Sequence, residues 1–245
     1  MDLANKATKR DAGSHLRGAI PLSIRMVLFH LRELWRGRRE WSRLQGETRV
    51  LVGNSNLTAE TTSRLRPVYE EYVSKVSSSR MAISFELSVF LLRLCHTFRP
   101  SSILDLGSGL SSVVFRTYQA SAIPRPVVCS VDDSEMWLGK TCAFLTGRGM
   151  PADNTLTWSQ FVQENREVFD LVLHDLGTID LRARTLLEAV NRTGPRGILV
   201  LDDVDRQSYA SYARRILGGR GLRVYSLRVP TKDEFARYSL MGIRS

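Results

Sequence analysis

Hydrophobic and polar positions along the chain follow two different periods. Between residues 24 and 43 the apolar Ile24, Val27, Leu28, Leu31, Leu34 and Trp35 recur at helical spacing, while Arg25, Arg32, Arg36, Arg39 and Arg43 fall in one stripe on another side. This predicts a basic amphipathic helix opening at Pro21, with Gly37 as the point where it breaks or kinks. Residues 58–76 repeat the helical pattern with Leu65, Val68, Tyr69 and Tyr72 on one side, and a third helix opens at Ser84 and closes at Pro100. Beyond residue 100 the period changes. Residues 103–106, 127–131, 169–174 and 198–201 are short apolar runs with almost no solvated face, as expected of parallel strands covered by helices on both sides, and a weaker strand falls near residues 155–157. Residues 222–229 and 235–243 have strand character around a turn at 230–233, which predicts an antiparallel hairpin at the edge of the sheet. The fold class is α/β, a Rossmann-like sheet with a terminal hairpin, preceded by an N-terminal helical extension.

Length and charge divide the chain in the same place. At 245 residues it can bury one full α/β core, so residues 1–79 are expected to form a basic helical extension and residues 80–245 the catalytic domain. Residues 1–20 read as a loose polar tail and residues 46–58 as a linking loop. The formal net charge is +10, and residues 1–100 hold 17 Lys and Arg against 9 Asp and Glu, so most of the excess sits in the extension. Such an arm attracts nucleic acid, an anionic membrane surface or an acidic substrate, and charge alone does not choose. Its amphipathic helix either packs on the domain by its apolar face with its arginines in water, or covers the active site, recruits a lipid-like substrate, or forms a homodimer surface. Cys95, Cys129 and Cys142 lack C-x-x-C spacing and lie in apolar segments, which suits a reducing compartment. No secretory signal or membrane-length apolar run is visible, so a cytoplasmic location is expected.

The candidate chemistry begins at residues 103–112, ILDLGSGLSS. A buried strand runs into a turn where Gly107 and Gly109 allow close approach of backbone to a ligand around Ser108, and Ser111 or Ser112 can cap the following helix. A dinucleotide fold would place a third glycine where Ser112 stands. The second strand ends in Asp132 and Asp133, 23 residues beyond Gly109, where a carboxylate can accept hydrogen bonds from both hydroxyls of a ribose. Asp132 is the expected ribose ligand and Asp133 the alternative. The fourth and fifth strands end in Asp175 and in Asp202 and Asp203, and parallel pairing brings these acids to the same rim as the glycine turn.

The pattern around Asp105, Gly107 and Gly109, with the Val-Asp-Asp-Ser run at 131–134, resembles the first two motifs of class I S-adenosylmethionine-dependent methyltransferases. The resemblance covers roughly residues 80–245. It implies S-adenosyl-L-methionine as cofactor, Asp105 near its amino-acid part, and Ser84 and Glu86 as contacts from the helix before the first strand. It also places Trp158, Ser159 and Gln160 at the adenine. Each has a plainer reading: Ser84 as a helix cap, Glu86 as a first-turn carboxylate, Trp158 as a core aromatic, Gln160 as a helix-start residue. The spacing of 27 residues from Asp175 to Asp202 is similar to that of metal-dependent catechol and caffeoyl-CoA O-methyltransferases. That likeness implies Mg²⁺ held by Asp175, Asp202 and Asp203. The chain departs from the pattern at two points, with Thr178 in place of the lysine base and Asp203 in place of Asn, so Asp175 is the expected catalytic residue, with Asp175 itself or a metal-bound hydroxyl serving as base.

The expected function is O-methylation of a small-molecule hydroxyl. Methylation of RNA or another macromolecule recruited by the basic helix is one alternative, and a non-catalytic cofactor-binding scaffold another. Against nucleic acid, no Asn-Pro-Pro-Tyr-like motif follows the fourth strand and few aromatics interleave with the arginines.

Overall fold

A computed structural model describes residues 22–47, 55–164 and 167–245; the expected tail and most of the linking loop lie outside the described residues. Three helices come first: α1 (Leu22–Glu47), α2 (Ser55–Lys75) and α3 (Phe85–Phe98). Strands and helices then alternate as β1 (Ser102–Leu106), α4 (Leu110–Ser121), β2 (Val127–Asp132), α5 (Glu135–Gly147), β3 (Thr155–Thr157), α6 (Trp158–Glu164), β4 (Phe169–His174), α7 (Ile179–Arg192), β5 (Thr193–Leu201) and α8 (Gln207–Gly219). The chain closes with β6 (Leu222–Ser226), the short α9 (Arg228–Thr231) and β7 (Leu240–Arg244).

The described strands form one seven-stranded sheet in the order β3-β2-β1-β4-β5-β7-β6, parallel except for β7. Alternation along each strand builds two cores. Ile103, Leu171, Leu173, Ile198 and Val200 face Leu65, Tyr72, Leu91 and Val113 of α2, α3 and α4. Leu104, Leu106, Val172, Leu199 and Leu201 face Phe161, Leu186 and Ala213 of α6, α7 and α8. The strand order reverses between β1 and β4, and this leaves a crevice outside their carboxyl ends.

The closing hairpin forms, but β6 ends at Ser226 and residues 228–231 make a helical turn, because Pro230 has no N–H for a ladder. The return strand β7 lies between β5 and β6, inside the sheet and not at its edge.

Helix α1 overturns the simpler expectation of its packing. It docks by acids: Glu33, Glu40 and Glu47, seven residues apart, line one face. Glu40 accepts from both Arg214 Nη1 and Nη2 at 3.0 Å and from the Ser226 amide at 2.6 Å, and Glu47 accepts from Arg223 at 2.9 Å and from the Tyr225 hydroxyl. Glu33 is 2% exposed. The apolar stripe faces outward instead, with Leu31 56% and Trp35 67% exposed. Gly37 neither breaks nor kinks α1; a Cβ there would lie 3.3 Å from the Arg228 Cβ, so glycine permits the close approach to α9. No helix among the described residues is long and apolar enough to cross a membrane.

Candidate active site

The crevice widens into a cavity of about 690 Å³. Its floor is the turn after β1 and the ends of β2 and β4. Its walls include Tyr72, Met81, Ile83, Trp137, Arg182 and Arg206.

The turn is fixed from several sides. The Gly107 and Ser108 amides donate to the Val131 carbonyl at 2.8 and 3.1 Å, and the Asp175 amide donates to the Leu106 carbonyl at 2.6 Å. Gly107 has φ +104°, and a Cβ on it would run into the Asp175 carbonyl. Only glycine lets the β1 turn and the end of β4 lie this close. Ser112 Oγ accepts from the Gly109 amide at 3.2 Å and donates to Asp105 Oδ2 at 2.5 Å. Asp105 is wholly buried, which pushes its carboxyl up to about 6 against the lowering effect of that hydrogen bond.

Six of the expected cofactor residues, Gly107, Ser108, Gly109, Asp132, Asp133 and Asp175, line the cavity. Asp132 accepts from Ser108 Oγ at 3.1 Å and from the Ser134 amide at 2.9 Å, and burial foremost raises its pKa. Asp105 and Ser112 lie behind the turn and brace it, outside the cavity wall, because strand alternation points Asp105 toward α4. Glu86 is exposed in the first turn of α3, whose cap is Ser84, bonded to the Leu87 amide at 3.0 Å. Ser159 and Gln160 are exposed and occupied locally. Gln160 Oε1 accepts from the Thr157 amide and hydroxyl, both at 2.9 Å, and Thr157 Oγ1 lies 3.1 Å from Ser159 Oγ. Trp158 packs against Phe161 with ring centroids 6.0 Å apart. Neither Ser159, Gln160 nor Glu86 is among the cavity's lining residues.

Two site residues are not evident from the sequence pattern. Tyr72 falls on the core face of α2 with Leu65 and Val68, yet its hydroxyl is buried without a hydrogen-bond partner, 3.2 Å from where a Cβ on Gly109 would stand. Burial foremost pushes it up to about 12, so it stays a neutral donor. Arg182 projects from the first turn of α7, where a cation opposes the helix dipole. That misplaced charge is its only signal in the sequence.

Asp175, Asp202 and Asp203 do come together, with carboxylate oxygens within 4.8 Å of one another. The Arg182 guanidinium stands among them. Its Nη2 lies 2.5 Å from Asp175 Oδ1 and donates to the Gly177 carbonyl at 3.2 Å; its Nη1 lies 3.2 Å from Asp203 Oδ2. Asp202 Oδ1 accepts from Ser239 Oγ at 2.8 Å. Burial and the neighbouring Asp203 push Asp202 up to about 6, and burial raises Asp175 well above the carboxylate range while Arg182 opposes it. Thr178, in the position of the missing lysine, caps α7 through the Leu181 amide at 3.3 Å. His174 points away from the rim into the α7 side, Nε2 2.9 Å from Thr185 Oγ1.

This fold recurs in solved methyltransferases. The O-methyltransferase TomG from Streptomyces achromogenes, involved in tomaymycin synthesis and solved with SAM, matches with a TM-score of 0.55 and 18% identity over 85% of this chain and 99% of that one. The fold is that of the class I methyltransferases. An O-methyltransferase from Bacillus cereus in complex with SAH gives 0.52 at 15% identity, covering 83% of this chain and 97% of its own. The Podospora anserina methyltransferase PaMTH1, bound to SAH, gives 0.52 at 14% identity, covering 84% and 94%. No protein-family model matches the chain, and no curated protein sequence does.

Proposed function

We propose that this methyltransferase-fold chain transfers a methyl group from S-adenosylmethionine to the oxygen of a small-molecule hydroxyl. The observation that carries the reading is the convergence of the glycine turn, Asp132 and the unpartnered Tyr72 hydroxyl on one cavity at the point where the strand order reverses. The residues fit the cofactor. Asp132 and Asp133 are acceptors for the ribose hydroxyls, and the buried Tyr72 hydroxyl is a donor without a protein acceptor. Bound cofactor supplies an electrophilic methyl group on a sulfonium. Asp175 lines the cavity; burial strengthens it as a base while Arg182, holding one of its oxygens, favours its charged form, and in that form it takes the proton of the acceptor hydroxyl. Met81 and Ile83 add apolar surface to the cavity lining, and the rate gain comes mainly from holding the acceptor in line.

Calorimetric titration with S-adenosylhomocysteine tests the cofactor site. Micromolar binding that weakens at least about tenfold in Asp132→Asn is expected, since ~1.4 kcal/mol is tenfold in affinity and one charge-assisted hydrogen bond is worth at least that. Asp175→Asn is expected to keep binding and lose transfer of a labelled methyl group to phenolic acceptors. No binding by the wild type would overturn the reading.

A further inference from the structure

The geometry assigns the role of cation in the strand-end acid cluster to Arg182: its guanidinium stands where a divalent metal would sit, so the site works without one. A hard divalent cation is held by carboxylate oxygens turned toward one centre, with waters completing its shell. Here the carboxylates of Asp175 and Asp203 are turned toward the two ends of one planar guanidinium, and that of Asp202 toward Ser239. The guanidinium is only 7% exposed and also donates to the carbonyl of Gly177, so it is built into the cluster from α7. A second cation, Arg237, comes within 3.8 Å of Asp203. Two permanent positive charges already face three carboxylates, and arginine cannot discharge by losing a proton. A dication would have to displace a buried guanidinium already paired with Asp175 and Asp203. The residues therefore do not fit a metal.

Resting on the methyltransferase reading, the consequence is that Arg182 is a positioning residue for Asp175. The acceptor's O–H proton passes to the Asp175 carboxylate, the oxygen takes the methyl group, and the sulfur keeps the bond's electron pair.

The metal claim is tested apart from that reading, by Mn²⁺ titration of the protein without cofactor, following the free-ion electron paramagnetic resonance signal. Wild type is expected to leave the signal undiminished. Arg182→Gly, which empties the fork, is expected to gain one Mn²⁺ site that Asp202→Asn removes again and that added guanidinium ion competes away. A stoichiometric wild-type site abolished by Asp202→Asn overturns the assignment, and so does a folded Arg182→Gly that binds no Mn²⁺. Should Arg182→Gly not fold, the wild-type titration still decides. Failure of S-adenosylhomocysteine to bind would sink the enzymatic reading and leave this result standing.

A separate observation concerns α1, and from it we infer that its outer face docks on an anionic lipid surface. Ile24, Val27, Leu28, Leu31, Leu34 and Trp35 are 42–67% exposed on one stripe, and the helix is already held to the domain by its opposite, acidic face. Arg32, Arg38 and Arg39 are exposed along the same helix. Two such faces meeting in a dimer would bring arginines together while Glu33, Glu40 and Glu47 are engaged elsewhere. An anionic bilayer offers partners to both groups, apolar depth for the stripe and phosphates for the arginines. Co-sedimentation is expected with vesicles of equal parts phosphatidylcholine and phosphatidylglycerol, not with phosphatidylcholine alone, and is expected to fall with salt and in Leu28→Asp/Leu31→Asp. Absence of binding to the anionic vesicles overturns this, as does a salt-resistant dimer in solution that the same double substitution dissociates.

Discussion

At the scale of single residues, the site depends on one glycine and is kept honest by one histidine. Because the Asp175 amide bonds the Leu106 carbonyl, the backbone at Asp175 cannot retreat from Gly107. Gly107→Ala is therefore expected to cost about 2–4 kcal/mol, combining a left-handed φ with a backbone clash, and to abolish S-adenosylhomocysteine binding; urea denaturation and calorimetry check the two parts. His174 sets a pH dependence. Burial holds it neutral, with its pKa lowered from 6.5 to about 3. Below pH 6.5 the unfolded chain takes up a proton that the folded chain refuses, so this residue's contribution is intact above 6.5 and is lost as pH falls toward 3. The full shift corresponds to about 4–5 kcal/mol. Asp105 works in the opposite sense: raised to about 6, it favours the folded state as pH falls from 6 toward 3.8. Comparing wild type with His174→Gln isolates the histidine. The variant's deficit at pH 7 is expected to shrink at pH 5, and an equal deficit at both would contradict a neutral buried imidazole.

At the scale of elements, α1 is bound by an acidic face along its length as well as by the apolar Leu44 and Trp41 near its end. Glu40→Ala leaves the Ser226 amide without its acceptor and Arg214 with only the longer 3.8 Å contact to Glu33, at an expected cost of about 2–3 kcal/mol. Hydrogen exchange is expected to quicken across α1 and β6 and to leave β1 and β4 protected. The same helix shows where sequence reading stops. Its period is plain in residues 24–43, but which stripe faces inward is decided by Arg214 and Arg223, some 180 residues away. The central strands were legible because each is a short, mostly apolar run, and Asp132 because an acid closes the run. Alternation within β1 already implies that Asp105 faces a helix and not the crevice. The Arg182 fork was not legible, since the acids it joins arrive from the ends of two different strands and meet only after β4 and β5 pair.

At the scale of the whole molecule, the two halves of the chain are tied together beside the cavity by Arg237. Its Nη1 and Nη2 donate at 2.9 Å to the carbonyls of Arg80 and Ser79, in the segment that roofs the cavity, while its Nε lies 2.7 Å from Asp233 and 3.8 Å from Asp203 on the floor. Arg80 and Arg237 both stack over Phe235, at 4.7 and 5.4 Å. One side chain thus ties the end of the N-terminal helices to the loop before β7 and to the acid cluster. Arg237→Lys keeps the charge but cannot span these partners, because an ammonium lacks the planar fork. The substitution is expected to cost about 2–3 kcal/mol in urea denaturation, the range for losing hydrogen bonds to a charged group. It is also expected to weaken S-adenosylhomocysteine binding and to expose residues 79–82 to limited proteolysis. A roof organised by α2 and α3 alone would leave binding and cleavage unchanged and show only the stability loss, so the two arrangements separate on ligand affinity and not on folding.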